Sequence, residues 1–444
     1  VSGSPRIAVL GGGPAGLGAA YAAACAGLPV TLYERAPQVG GLARSFELWG
    51  QTVELGAHLL LREDPRIDRL WTELIGDAYD RVPRQTRIVT DGRWLRYPYE
   101  PLDVVRQLGL GSSLRCAHGA VQRRRPRSGA AGTLEGWIVE RFGQPAFELL
   151  VAGDVQKLFG RPARELDAQL AGSLLGFQRR PTIARTVGRA VRRVPEPPLV
   201  RPHDGVGTLA ERLAEAVVAR GGCVVCGREV GRLEIDGRRV RGIEIDGRIE
   251  PVDRVISTLP LPALFERLPD APPEIVRRLR GLTARSVVIA YALLDGPPPF
   301  SGQWVYVADP RPVSRITSFS GWTPPGSAPP PQSILAFELW CDAGDATWEQ
   351  PPDVFRAVAE RTLADLGLRH APVLDVAVRR GRDVLPVLSP AARTTVAEAG
   401  AWLRRIDGLH TTGRHGSFAN SGVHESLLLG VEAGRALALG GASA

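Results

Sequence analysis

Gly11, Gly13 and Gly16 stand at Gly-x-Gly-x-x-Gly spacing, with Pro14 and Ala15 inside the turn. Glutamate 34, followed by Arg35, closes the next apolar run. A glycine turn of this kind has a defined chemistry. One glycine allows the tight bend, one lets a pyrophosphate approach the backbone, and one lets helix and strand pack closely. The helix start offers unpaired N–H groups and partial positive charge to phosphates. A carboxylate at Glu34 can accept hydrogen bonds from a ribose. Together they read as a dinucleotide site. A second glycine turn, Gly40-Gly41-Leu42-Ala43-Arg44, adds a cation just past the acid.

Other side chains able to do chemistry lie further along. His58 follows the turn Gly56-Ala57, and it reads either as a buried, hydrogen-bonded imidazole or as a group beside a ligand. Gly413-Arg414, between a strand and a small-residue helix, offers N–H groups and a cation to a pyrophosphate. Arg185, Arg189 and Arg192 fall on one helix face, which reads as a solvated face or as a contact with a phosphate or a membrane surface. Cys223-Val-Val-Cys226 lies in a β-like run, where residues three apart face opposite sides. No second pair completes a zinc site, so its role is read as structural.

The elements that must carry these groups alternate in type. Ile7–Leu10 has strand length, a helix rich in alanine follows, and Val30 to Glu34 is a second strand. Asp64 and Pro65 open a helix to about Gly76. Thr86 to Tyr99 alternates as a hairpin around Asp91-Gly92. Residues 109–132, rich in Gly, Ser and Arg, read as a solvated loop. Thr133 caps the first of several helices reaching Leu174. Residues 200–262 return as a helix, strands and Asp-Gly hairpins. Residues 284–375 read as a mainly β block with one helix. The last strand precedes Gly413, and a helix follows Gly422-Val423.

The totals bound the function. A chain of 444 residues suggests two or three domains. Hydrophobic content of 44% suffices for real cores. No apolar run is long enough to span a membrane, and the five cysteines suit reduced thiols, so a cytoplasmic location is expected. Net charge is +8, and Lys157 is the only lysine among the 55 basic residues. With no nucleic-acid-binding motif, this favours a phosphorylated or otherwise anionic small molecule as partner. The oligomeric state is not readable.

The stretch from Gly11 to Arg44 resembles flavoproteins of the two-dinucleotide-binding-region type, which bind FAD. The Gly56-Ala57-His58 turn, Lys157-Leu-Phe-Gly, Asp204-Gly-Val-Gly, Val230, Ile256-Ser-Thr and Gly413-Arg414 extend the match. The chain resembles the flavin amine oxidase and protoporphyrinogen oxidase superfamily, and within it the UDP-galactopyranose mutase-like branch. The resemblance implies an α/β fold: a Rossmann-like FAD-binding domain with a discontinuous α+β substrate domain. The FAD-binding domain would comprise 1–62, 196–283 and 376–444. A helical cap would occupy 63–195, and a substrate-domain sheet 284–375.

By the same resemblance Glu34 holds the adenosine ribose, and Val230 lies by the adenine. Arg44 and Arg414 approach the pyrophosphate or ribityl chain. His58 lies near the flavin ring, with Gly422 and Val423 also in the cofactor site. Tyr97, Lys157, Arg185 and Trp304 are candidate substrate contacts. His58, His424, Arg315 and Tyr306 are candidate catalytic residues. Mutases carry a second histidine where this chain has Leu61, and tyrosines where it has the Phe418 to His424 segment. The leading expectation is therefore an FAD-dependent oxidoreductase taking a hydride to flavin N5 from a small, phosphorylated or sugar-like substrate. The alternative is a redox-neutral nucleotide-sugar mutase using reduced FAD as nucleophile.

Overall fold

The computed structural model describes residues 4–58, 60, 62, 64–97, 99–121, 132–174, 198–322, 330–369 and 371–438. Its centre is a five-stranded parallel sheet. The strand order is Leu409–Thr411, Arg254–Ser257, Ile7–Leu10, Val30–Glu34 and Cys223–Cys226. The Ile7–Leu10 strand is buried on both faces, which explains its continuous apolar run. Ile7 and Val9 pack with the helices Pro14–Cys25, Gly207–Ala219 and Val423–Ala438. Ala8 and Leu10 face the other way, toward Leu233 and Ile243 of a three-stranded meander.

Small residues bring the first and last helices together. A Cβ at Gly430 would lie 1.9 Å from the Ala15 carbonyl oxygen, and one at Gly434 would lie 2.4 Å from that of Ala19. The C-terminal helix is thereby locked against the helix that opens the glycine turn.

The second sheet has seven strands. Their order is Val373–Pro386, Ala284–Leu294, Ser333–Cys341, Arg315–Ser318, Trp304–Val307, Thr86–Thr90 and Arg93–Tyr97. All pairings are antiparallel except Trp304–Val307 with Thr86–Thr90. Alternation divides its faces. Val288, Ala290, Phe337 and Leu339 meet Phe355, Ala359 and Leu363 of the helix Pro352–Asp365. Ile289, Tyr291, Ile334 and Ala336 face the shared core with the helices after Thr133.

Two boundaries expected from sequence are corrected. Val373–Pro386 pairs along Ala284–Leu294, so the substrate sheet runs past residue 375. The region 63–195 is not only helical, because its Asp91-Gly92 hairpin adds two strands to that sheet. The expected loop from 109 is also corrected. Residues up to Val121 continue a helix from Pro101 with a break at Gly109, whose φ is 77°. Gly119 seats this helix, since a Cβ there would lie 2.7 Å from Pro145. Tertiary contact thus overrides weak local propensity. The caps at Asp64 and Thr133 form as expected, accepting from the N–H groups of Arg66 and Gly136.

Candidate functional site

The glycine turn has the geometry its spacing requires. Gly11 has φ 103°, and a Cβ at Gly16 would lie 1.8 Å from the Gly11 carbonyl oxygen. A Cβ at Gly13 would meet nothing within 4 Å, so the backbone there borders open space. Pro14 is the first helical residue, followed by Ala15. Gly413 reaches this point from the far end of the chain: a Cβ there would lie 2.7 Å from that of Ala15. Gly41 packs beside Gly13, its Cβ position 3.2 Å from the Gly13 Cα. Glu34 accepts from the Gly12 N–H at 2.6 Å and from the Ala36 N–H at 2.8 Å, while Arg35 beside it is exposed. Arg44 donates from Nε to the Gly41 carbonyl at 2.9 Å. Val230 is buried in the meander opposite Ile245. Gly422 and Val423 open the last helix, where the Gly422 N–H is accepted by Glu425.

A cavity of about 320 Å³ lies between this cofactor-side framework and the seven-stranded sheet. Leu42, Gly56, Ala57, His58, Arg414 and Asn420 form one wall. Sheet register builds the other. Tyr306 stands opposite Arg315, and Arg315 opposite Glu338, in one row across three strands. Tyr97, Tyr99 and Asp154 close one end. Tyr97 meets Tyr99 edge-on at 5.7 Å and Tyr306 at 5.2 Å.

The row is held by charge. Arg315 donates to both oxygens of Glu338 at 2.7 and 2.8 Å, with Glu338 only 2% exposed. Burial works against the guanidinium charge, but Glu338 and Tyr306 together outweigh it and raise the Arg315 pKa. Glu338 also reaches the facing wall: the Ala57 N–H points to it at 3.4 Å, and a Cβ at Gly56 would lie 3.0 Å from its Oε1. Gly56, at φ 80°, therefore has both a backbone and a spatial reason to be glycine. Glu54 fixes the strand leading into this turn. Its buried carboxylate accepts from Arg201 at 2.9 Å and from the Val206 N–H at 3.1 Å.

Burial pushes His58 down to about 4, Glu54 opposes this, and the charges of Arg315 and Arg414 add to it. Its Nε2 is buried and has no hydrogen-bond partner among the described residues. A buried polar atom without a partner is costly unless a ligand completes it. The Asp154 carboxyl is pushed up by burial, against Lys157 and Arg315. Burial also raises Tyr97 and Tyr99, and lowers Arg414. Arg414 donates to the carbonyls of Ser421 and Val384.

Three residues expected at the site lie outside the cavity lining. The Lys157 ammonium donates to the Val307 and Val313 carbonyls at 2.6 and 3.0 Å, bracing the end of the Trp304–Val307 strand and the connection that follows it. Trp304 is 2% exposed and packs with Trp322, Val82 and Leu199. His424 accepts from Trp71 Nε1 at 3.4 Å, edge-on to its ring, and burial pushes it down to about 4. Arg185 lies outside the described residues. Tyr99, one of the aromatics whose extended turn suits a domain rim or a pocket wall, lines the cavity, and so do Asp154, Glu338 and Asn420, which the sequence reading did not single out. Of the latter only Glu338 left a signal, as an acid within the apolar run Ile334 to Trp340.

The family model described as flavin containing amine oxidoreductase matches residues 14–376. The chain belongs to this family. FAD is accordingly its cofactor, and the open backbone at Gly13, the carboxylate of Glu34 and the unpartnered His58 Nε2 fit such a group. Protoporphyrinogen oxidase 2, chloroplastic/mitochondrial, of Arabidopsis thaliana is 33% identical over 103 residues, which is 22% of this chain and 20% of that protein. In fold, the chain resembles a reduced UDP-galactopyranose mutase, with a TM-score of 0.80 at 19% identity, covering 98% of this chain and 96% of that one. A putative protoporphyrinogen oxidase from Exiguobacterium sp. superposes with a TM-score of 0.77 at 18% identity, over 99% and 100% of the two chains. Putrescine oxidase bound to putrescine gives 0.64 at 16% identity, over 98% and 99%. No helix among the described residues is long and apolar enough to cross a membrane.

Proposed function

We propose that this flavoprotein is an oxidoreductase acting on a small molecule that is uncharged or cationic where it meets the sheet. Bound FAD supplies the two-electron acceptor for a hydride from a C–H bond next to nitrogen or oxygen. The chain's own residues do the rest. Tyr97, Tyr99, Tyr306 and Ile88 offer apolar and aromatic surface that orients the substrate and excludes water. His58, neutral down to about pH 4, offers an unpartnered imidazole nitrogen that can accept a hydrogen bond from the substrate heteroatom. Gly56 lets backbone come close to both walls.

The engagement of Arg315 by Glu338 carries this reading over the mutase alternative. A nucleotide-sugar diphosphate needs guanidinium or ammonium groups with N–H to give. Among the described residues Arg315 already makes a bidentate carboxylate pair, Arg414 donates to two carbonyls, and Lys157 does likewise. Asp154, whose carboxyl burial pushes toward the neutral form, adds no cation to the same cavity. The test is to mix the oxidised holoenzyme anaerobically with amines and alcohols, and the reduced form with UDP-galactopyranose. Bleaching of the flavin absorbance by an amine or alcohol is expected. Turnover of the nucleotide sugar by reduced enzyme, without net electron uptake, would overturn the reading.

A further inference from the structure

The four most exposed large apolar side chains among the described residues all lie on the helix Pro101–Val121. They are Val121 at 84%, Leu102 at 72%, Leu110 at 68% and Leu114 at 59%. Beyond the break at Gly109, Leu110, Leu114, Ala117 and Val121 recur at helical spacing on one face. A helix on a globular surface normally turns its apolar stripe to the core. Here Gly119, packed on Pro145, seats the helix by its small residues and leaves the stripe outside. Val104 and Leu108 hold the first half against Tyr97 and Tyr99, so the helix is anchored to the cavity wall.

The rim of this stripe is basic. Beyond the break Arg115 and His118 are exposed beside it, and Arg106 is exposed on the segment before the break. Its one acid, Asp103, sits in the first turn and accepts the Arg96 N–H at 2.7 Å. In sequence, 122–127, outside the described residues, hold four arginines and no acid.

We propose that this helix face docks on an anionic lipid bilayer, lying at the headgroup boundary without crossing it. An apolar stripe flanked by cations is the composition that binds there. The leucines leave water for the acyl boundary while the arginines meet lipid phosphates. A second copy of the chain suits the face less well. Self-pairing would bury leucine against leucine but bring the arginine rims together.

The test uses the full-length FAD-loaded protein and sedimentation with vesicles of phosphatidylcholine, alone or mixed with phosphatidylglycerol. Wild type should sediment with the mixed vesicles, be released by high salt, and stay in solution with phosphatidylcholine alone. Leu110→Glu with Leu114→Glu should weaken binding by about tenfold or more per leucine. Both positions are exposed, so flavin absorbance and melting temperature should be unchanged, and these measurements check that the variant is folded. Wild type that ignores both vesicle types overturns the proposal. So does equal binding to neutral and anionic vesicles, or a dimer in solution that the same two substitutions dissociate.

Discussion

Glu338 is the side chain on which the substrate wall depends most. It is nearly inaccessible, neutralises Arg315, and approaches the Gly56–Ala57 turn across the cavity. Removing one partner of a buried pair leaves an uncompensated charge, which costs about 3–5 kcal/mol. Glu338→Ala should therefore lower stability by that order in urea titrations, and Arg315→Met with Glu338→Leu should recover much of the loss. The two histidines give a pH signature. His58 and His424 are both pushed from 6.5 to about 4 by burial. Below pH 6.5 the unfolded chain takes up protons that the folded chain refuses, so stability falls from pH 6.5 to about 4 and levels below it. Each histidine contributes roughly 3 kcal/mol to that fall. His424→Gln keeps an acceptor for Trp71 and should flatten part of the slope in denaturant midpoints measured across that range. The glycines, Glu34 and His58 were legible because local spacing defines their geometry. Asp154 and the partner of Glu338 were not, because these acids meet Tyr97 and Arg315 only through register and packing between segments far apart in sequence.

The glycine turn separates two roles that spacing alone leaves together. Gly13 has φ −76°, which alanine adopts without strain, and open space where a Cβ would go. Gly16 has none. Gly13→Ala should fold with near wild-type stability but retain FAD poorly, as read from the flavin-to-protein absorbance ratio. Gly16→Ala should lose about 1–3 kcal/mol of apoprotein stability through overpacking. Elements with their own caps and turn residues were readable at this level, including the Pro65–Leu74 helix and the Asp91-Gly92 and Asp246-Gly247 hairpins. The helix Pro101–Val121 was not, because glycine and serine weaken its propensity and its apolar stripe faces outward. The strand Val373–Pro386 escaped for another reason. It is an edge strand with Arg379, Arg380 and Asp383 among its residues, so its alternation is diluted.

The chain threads the two sheets so often that neither can stand alone. The parallel sheet draws on the N-terminal strands, on residues 223–257 and on Leu409–Thr411, while the seven-stranded sheet takes its strands from the intervening segments. Their shared core joins Ala8 and Leu10 with Tyr291, Phe159 and Leu403. Contiguity in sequence is thus a poor guide to domains here, which is why boundaries drawn from local pattern miss the last substrate strand. A physical consequence follows. The cavity walls come from both sheets, so a cofactor held on one side is coupled to the order of the other. Unfolding should proceed in one transition, coincident by far-UV and near-UV circular dichroism. Saturating FAD should shift that whole transition, because binding to the native state alone stabilises it by about 2.7 kcal/mol at a hundredfold excess over Kd. Two separated transitions, with only one responding to FAD, would mean that the sheets fold independently. The shared core from Ala8 to Leu403 would then not be what couples them.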